Sequence, residues 1–125
     1  MDRLSRLNTC TDCSLYRSRN LICSGVGPVP AGIGFIGEAP GAEENECGVP
    51  FIGPAGQLLD GLLERTGLKR ELVYISNSVM CFGGRDSTGK LNVPTKDQVG
   101  ACCKHLQAEL DLVQPKVLKI GRAHV

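Results

Sequence analysis

The sequence predicts an α/β protein built on a central, parallel sheet. Two short apolar runs, "GIGFIG" at 32–37 and "LVYISN" at 72–77, read as strands. Each is followed by an amphipathic stretch, and a third β-like run, "KVL", follows the second of these. The order strand, helix, strand, helix, strand builds parallel sheets through crossover helices.

The first strand leads into "GEAPGAEENECGVPFIG", which runs from Gly37 to Gly53. It reads as an open loop much longer than the roughly 4–6 residues usual between such elements. A helix over 54–66 follows. Pro54 suits its first turn, and Leu58, Leu59, Leu62 and Leu63 form one apolar stripe. Gly67 stands where a left-handed cap belongs.

The second strand ends at Asn77, and residues 82–94, "FGGRDSTGKLNVP", read as a polar loop. Thr95 with Gln98 three positions on makes a capping box. Val99, Cys102, Cys103, Leu106, Leu110 and Val113 fall on one face of the helix that follows. Pro115 stops it, and the third strand is expected to be buried. Parallel sheets bind ligands beyond the carboxyl ends of their strands. Gly37–Glu38 and Asn77 leave the sheet there.

The chain has 125 residues, which suits one domain, expected to span 1–125. Hydrophobic residues make up 42% and charged residues 22%, the balance of a water-soluble globule. No apolar run approaches the roughly 20 residues that cross a bilayer, so no membrane partner is expected. "MDRLSRLNTC" lacks the apolar core of a secretion signal, so an intracellular, cytoplasmic location is expected. A net charge of +1 neither requires nor excludes nucleic acid, because a basic face can hide in a balanced total.

Seven cysteines, an odd number without a secretion signal, point to a metal or cluster in preference to disulfides. Cys10 and Cys13 form a CxxC. With Cys81 and one of Cys102 and Cys103, they could enclose one [4Fe–4S] cluster or one zinc. Their wide separation does not match a compact zinc finger and favours the cluster. Cys23, Cys47 and the other of Cys102/Cys103 read as small buried hydrophobes. Glu43 and Glu44 read as a solvated acidic patch, and His105 as a helix surface residue.

The ordered motifs CxxC, GEAPG, "GVPFIG", "AGQLL" and "VYISNSVMC", then a helix cysteine and "PKV", resemble the iron–sulfur uracil-DNA glycosylases known as family 4. The resemblance covers about residues 8–118. It implies a three-layer α/β fold and a monomeric enzyme acting on uracil-containing DNA without a nucleotide cofactor. By position it makes Cys10, Cys13, Cys81 and Cys102 the ligands of a [4Fe–4S] cluster remote from the chemistry. Glu38 would be the catalytic carboxylate near the attacking water, and Asn77 would read the base edge. Phe51 would stack on the flipped base, and Gly37 and Ala39 would line the pocket.

The sequence also departs from that family. Asn45 stands where Asp is usual, Met80 where Lys is usual, and "FGG" follows Cys81 in place of Arg-Pro-Pro. The family continues beyond position 125 to a His-Pro-Ser or His-Pro-Ala motif whose His stabilises the leaving uracil; His124 is not followed by such residues. The chain is therefore expected to be the N-terminal part of a longer domain and to have little activity alone. The ending "KIGRAHV" can be encoded by a DNA string containing a common sequencing adapter followed by a stop. Residues 119–125 are accordingly expected to be non-native, with Lys119 the oddity in a buried strand.

Overall fold

The computed structural model describes residues 10–11, 14–17 and 19–120. Strand β1 (Ile33–Gly37) lies between β2 (Tyr74–Asn77) and β3 (Val117–Ile120), and both pairings are parallel. Gly37 pairs with Asn77, while Phe35 pairs with Ile75 and Lys119. Alternation along the strands then sends side chains to two faces. On one face lies helix α2 (Pro54–Arg65), whose Leu59 and Leu63 pack with Ile33, Phe35, Val73 and Ile75. On the other lies α3 (Lys96–Val113), where Val113 packs with Ala31 and Tyr74 and Glu109 meets Ser76. The described residues thus form the expected α/β/α layers.

Local chemistry sets the helix ends. Pro54 opens α2, and its C-terminal turn closes at Thr66, with Gly67 at φ +77 and Leu68 N–H bonded to the Leu63 carbonyl at 3.0 Å. Thr95 Oγ1 accepts from Gln98 N at 3.1 Å, and Gln98 Oε1 accepts from Thr95 N at 3.0 Å, so the capping box forms as expected. Gln114, at φ +51, ends α3 just before Pro115.

Several expectations are corrected. The Gly37–Gly53 stretch is not an open loop; it contains helix α1 (Ala42–Cys47), entered at Gly41 and ended by Gly48 at φ +73. Two glycines bracket six helix-compatible residues, too short a pattern for periodicity to expose. Strand β2 starts at Tyr74, because Arg70–Leu72 form a 3₁₀ turn with Leu72 exposed. Only Leu59 and Leu63 of the α2 stripe face the sheet; Leu58 and Leu62 are exposed. On α3 the inward residues are Cys102, Leu106, Glu109 and Val113, while Val99 and Cys103 face outward. All four β3 residues are exposed, so Lys119 sits in water at a sheet edge and carries no burial penalty. No described helix is long and apolar enough to cross a membrane.

Candidate active site

At the carboxyl end of the sheet, Gly37 and Asn77 are partners in register on the face that α2 covers. A Cβ added to Gly37 would collide with the Phe51 ring and would lie 2.5 Å from Asn77 Oδ1. Three residues far apart in sequence therefore meet, and only glycine lets the Phe51 ring and the Asn77 carboxamide close over the end of β1. Asn77 is 2% exposed, and among the described residues its carboxamide has no hydrogen-bond partner. A buried amide left unpaired costs about 1–3 kcal/mol.

Phe51 is half-buried against the Leu63–Val73–Ile75 cluster, with φ at +57. A non-glycine residue in that region costs on the order of 1–2 kcal/mol and persists only where the surroundings over-determine it. Gly56, in the first turn of α2, is one such surrounding. A Cβ there would overlap the Phe51 carbonyl group, so the Phe51 backbone rests directly on the helix.

Glu38 and Ala39 continue from Gly37 and line a cavity of about 160 Å³ with Pro40, Phe82, Asn92 and Pro94. It is large enough to admit water. The Glu38 carbonyl accepts from Val79 N at 3.1 Å, and the Gly37 carbonyl from Ser78 N at 2.8 Å, tying this turn to the exit of β2. The polar loop 82–94 roofs the cavity. Asn92 Nδ2 donates to the Gly83 carbonyl at 3.0 Å and Asn92 N to that of Gly84 at 2.9 Å. Sequence reasoning named Glu38 and Ala39 but missed Asn92, which has no local signal beyond its place in a polar loop.

The cysteines gather elsewhere, below the exit of β2. Cys10, Cys81 and Cys102 line one small cavity with Arg19, Val79, Ala101 and His105. Cys81 and Cys102 are buried and Cys10 is half-buried. Arg19 Nη1 donates to Cys81 Sγ at 3.7 Å, and His105 Nε2 lies 3.4 Å from Cys10 Sγ. His105 is therefore not a helix surface residue: its position, three after Cys102, turns it into this cavity. Cys13 lies outside the described residues. Among the described residues no three His, Cys, Asp or Glu side chains close on a single ion position. Cys47 and Cys103 are exposed, so neither is the buried hydrophobe expected, whereas Cys23 is.

The acidic pair divides. Glu43 is exposed as expected, but Glu44 is buried and is not part of a solvated patch. Its Oε2 accepts from Ile52 N at 2.9 Å and Gly53 N at 2.8 Å, and its Oε1 from Gly41 N at 3.0 Å. A second buried carboxylate, Glu109, accepts from Ser76 Oγ at 2.6 Å and Gly25 N at 2.7 Å, and so fastens α3 to β2 beside Asn77. Sequence reasoning missed it. The one signal was its place, seven residues after Cys102, on the inward face.

Cys23 Sγ donates to the Glu44 carbonyl at 3.0 Å, and burial, followed by the nearby Glu44 carboxylate, pushes its pKa from the ordinary 9.0 up to about 12. The folded state thus holds the proton more tightly than the unfolded chain does. Stability that is intact below pH 9 is lost progressively as pH rises towards 12. Urea denaturation across this range is expected to show a steeper alkaline decline for the parent than for Cys23→Ala. Equal slopes would refute it.

The chain belongs to the uracil DNA glycosylase superfamily: that family's model matches residues 24–120. It is 39% identical over 113 residues to a type-4 uracil-DNA glycosylase of Thermotoga maritima, covering 90% of this chain and 56% of that protein. Type-4 uracil-DNA glycosylases of Pyrobaculum aerophilum (36% identity; 92% of this chain, 57% of the relative) and Archaeoglobus fulgidus (37%; 94% and 56%) are similarly related. The chain spans about half the length of the curated relatives it matches.

Proposed function

We propose that the site at Gly37, Phe51 and Asn77 holds a uracil flipped out of DNA, within a protein that hydrolyses its N-glycosidic bond. The observation that carries this reading is the buried, unpaired carboxamide of Asn77 packed with an aromatic ring over a glycine. A carboxamide offers an acceptor and a donor side by side, matching the N3–H and O4 of uracil. Cytosine presents the opposite pattern, so a fixed Asn77 rejects it. Phe51 supplies the stacking face, and Gly37 and Ala39 bring backbone close to the base.

In the reaction the bond between sugar C1′ and base N1 breaks, and its electron pair leaves with the uracil. The sugar develops oxocarbenium character. A water held beside Glu38 attacks C1′, and the carboxylate takes the proton the water loses, leaving an abasic sugar and a uracil anion that takes up a proton from solvent. Unstacking the base costs a few kcal/mol, which the closed pocket must return.

Cys10, Cys81 and Cys102 around one cavity are the thiolate type of ligand that a [4Fe–4S] cluster takes, with Cys13 as the fourth. Zinc is the alternative occupant. Either would cross-link the segment around Cys10, the exit of β2 and α3, a structural role. Iron analysis with the visible absorbance of the cluster separates the two; colourless protein with stoichiometric zinc would reject the cluster.

Radiolabelled oligonucleotides carrying one uracil, cytosine or thymine test the reading. Preference for the uracil strand is expected. Equal binding of the three strands with no excision would reject the uracil pocket.

A further inference from the structure

We propose that Glu44 is a positioning residue: its carboxylate holds the loop after Phe51 and thereby sets the stacking ring over the base pocket. The role in base binding rests on the reading of this pocket as a uracil site. The positioning itself rests on geometry. Glu44 is buried and uses both oxygens on backbone amides, taking Gly41 at the entry of α1 and Ile52 and Gly53 directly after Phe51. One side chain thus ties the start of the Gly37–Gly53 stretch to its end. The residue between Pro50 and Ile52 is the one held at φ +57.

The other flank is held separately. Arg70 Nη2 donates to the Pro50 carbonyl at 2.8 Å, and Arg70 Nη1 pairs with Asp60 at 2.7 Å on the surface of α2. Phe51 therefore sits between an anchored carbonyl and two anchored amides, with Gly56 beneath it. Cys23 Sγ holds the Glu44 carbonyl, and the Gly48 amide bonds to it at 2.7 Å, so Glu44 is itself fixed.

Three amide donors need an acceptor-only group. A carboxylate satisfies them, whereas a glutamine turns an N–H₂ towards one of them. Glu44→Ala removes every acceptor and Glu44→Gln keeps one oxygen, so the two should grade in effect. Arg70→Ala removes a half-exposed contact and should act weakly.

The chain has three phenylalanines, so fluorophenylalanine labelling gives three ¹⁹F resonances, with Phe51 assigned by Phe51→Leu. In Glu44→Ala the Phe51 resonance is expected to shift and broaden, and the Ile52 and Gly53 amides to exchange roughly 10- to 100-fold faster, the range for a lost charge-assisted hydrogen bond. Preference for a uracil over a thymine oligonucleotide should fall by a similar factor, with Glu44→Gln in between. Circular dichroism identifies any variant that does not fold, and Glu44→Gln then carries the test.

A Glu44→Ala protein that is less stable but keeps its Phe51 resonance and its uracil preference would overturn the proposal and leave Glu44 a helix cap. Unchanged exchange at Ile52 and Gly53 would overturn it as well. If the parent itself shows no uracil preference, the uracil reading fails, while the resonance and the exchange rates still decide the positioning.

Discussion

Alanine in place of Asn77 is expected to erase the preference for uracil over cytosine, by about 100-fold or more, while leaving the fold as stable as before. The two halves of this result have one cause. In most buried positions a polar side chain is paired, and truncating it leaves its partner exposed to the full desolvation penalty. Asn77 is buried, yet its carboxamide has no partner among the described residues. Removing it strands no other group and relieves the penalty of the amide itself. Urea denaturation should place the variant within about 1 kcal/mol of the parent, or above it. Competition binding with uracil and cytosine oligonucleotides should show the lost selectivity. A large loss of stability with selectivity retained would mean that Asn77 serves the fold and not the base.

The second large effect lies at Gly56, where alanine is expected to destabilise the protein by about 3 kcal/mol or more. Alanine is the better helix former by about 1 kcal/mol, so propensity alone argues the other way. The added Cβ would overlap the backbone carbonyl of Phe51, which cannot swing aside as a side-chain tip can. Either α2 moves off the loop or Phe51 leaves its position, and both disturb the site. Gly61 and Gly100 are the controls. They lie in the helices with nothing within 4 Å of an added Cβ, so Gly61→Ala and Gly100→Ala should each stabilise by about 0.5–1 kcal/mol. A Gly56→Ala protein as stable as those controls would refute the close approach. Against the roughly 5–15 kcal/mol that holds a typical domain together, the expected loss is a large share.

Features whose causes lie within a few residues were legible in the amino-acid order. Pro54, the Thr95–Gln98 box, Gly67 and Pro115 mark helix ends through contacts one turn long, and all four act where expected. The β-branched and aromatic run ending at Asn77 reads as a strand for the same local reason. The ordered motifs also brought Gly37, Phe51 and Asn77 forward as one site, and those three do meet.

Which side of each helix is inside, and which charges are buried, depends on contacts made across the assembled fold. Glu43 and Glu44 are adjacent and chemically identical; one faces water and the other accepts three amides, because the chain returns past α1 at Ile52 and Gly53. Glu109 broke the apolar pattern of α3 and shifted the expected face towards Val99 and Cys103. Its burial depends on Ser76 and Gly25, which lie 33 and 84 positions away. His105 turned inward because Cys10, 95 positions earlier, lies against it. A single carboxylate or imidazole looks the same in the sequence whether it is solvated or buried. The difference comes from donors at long sequence separation, and folding alone brings those into reach.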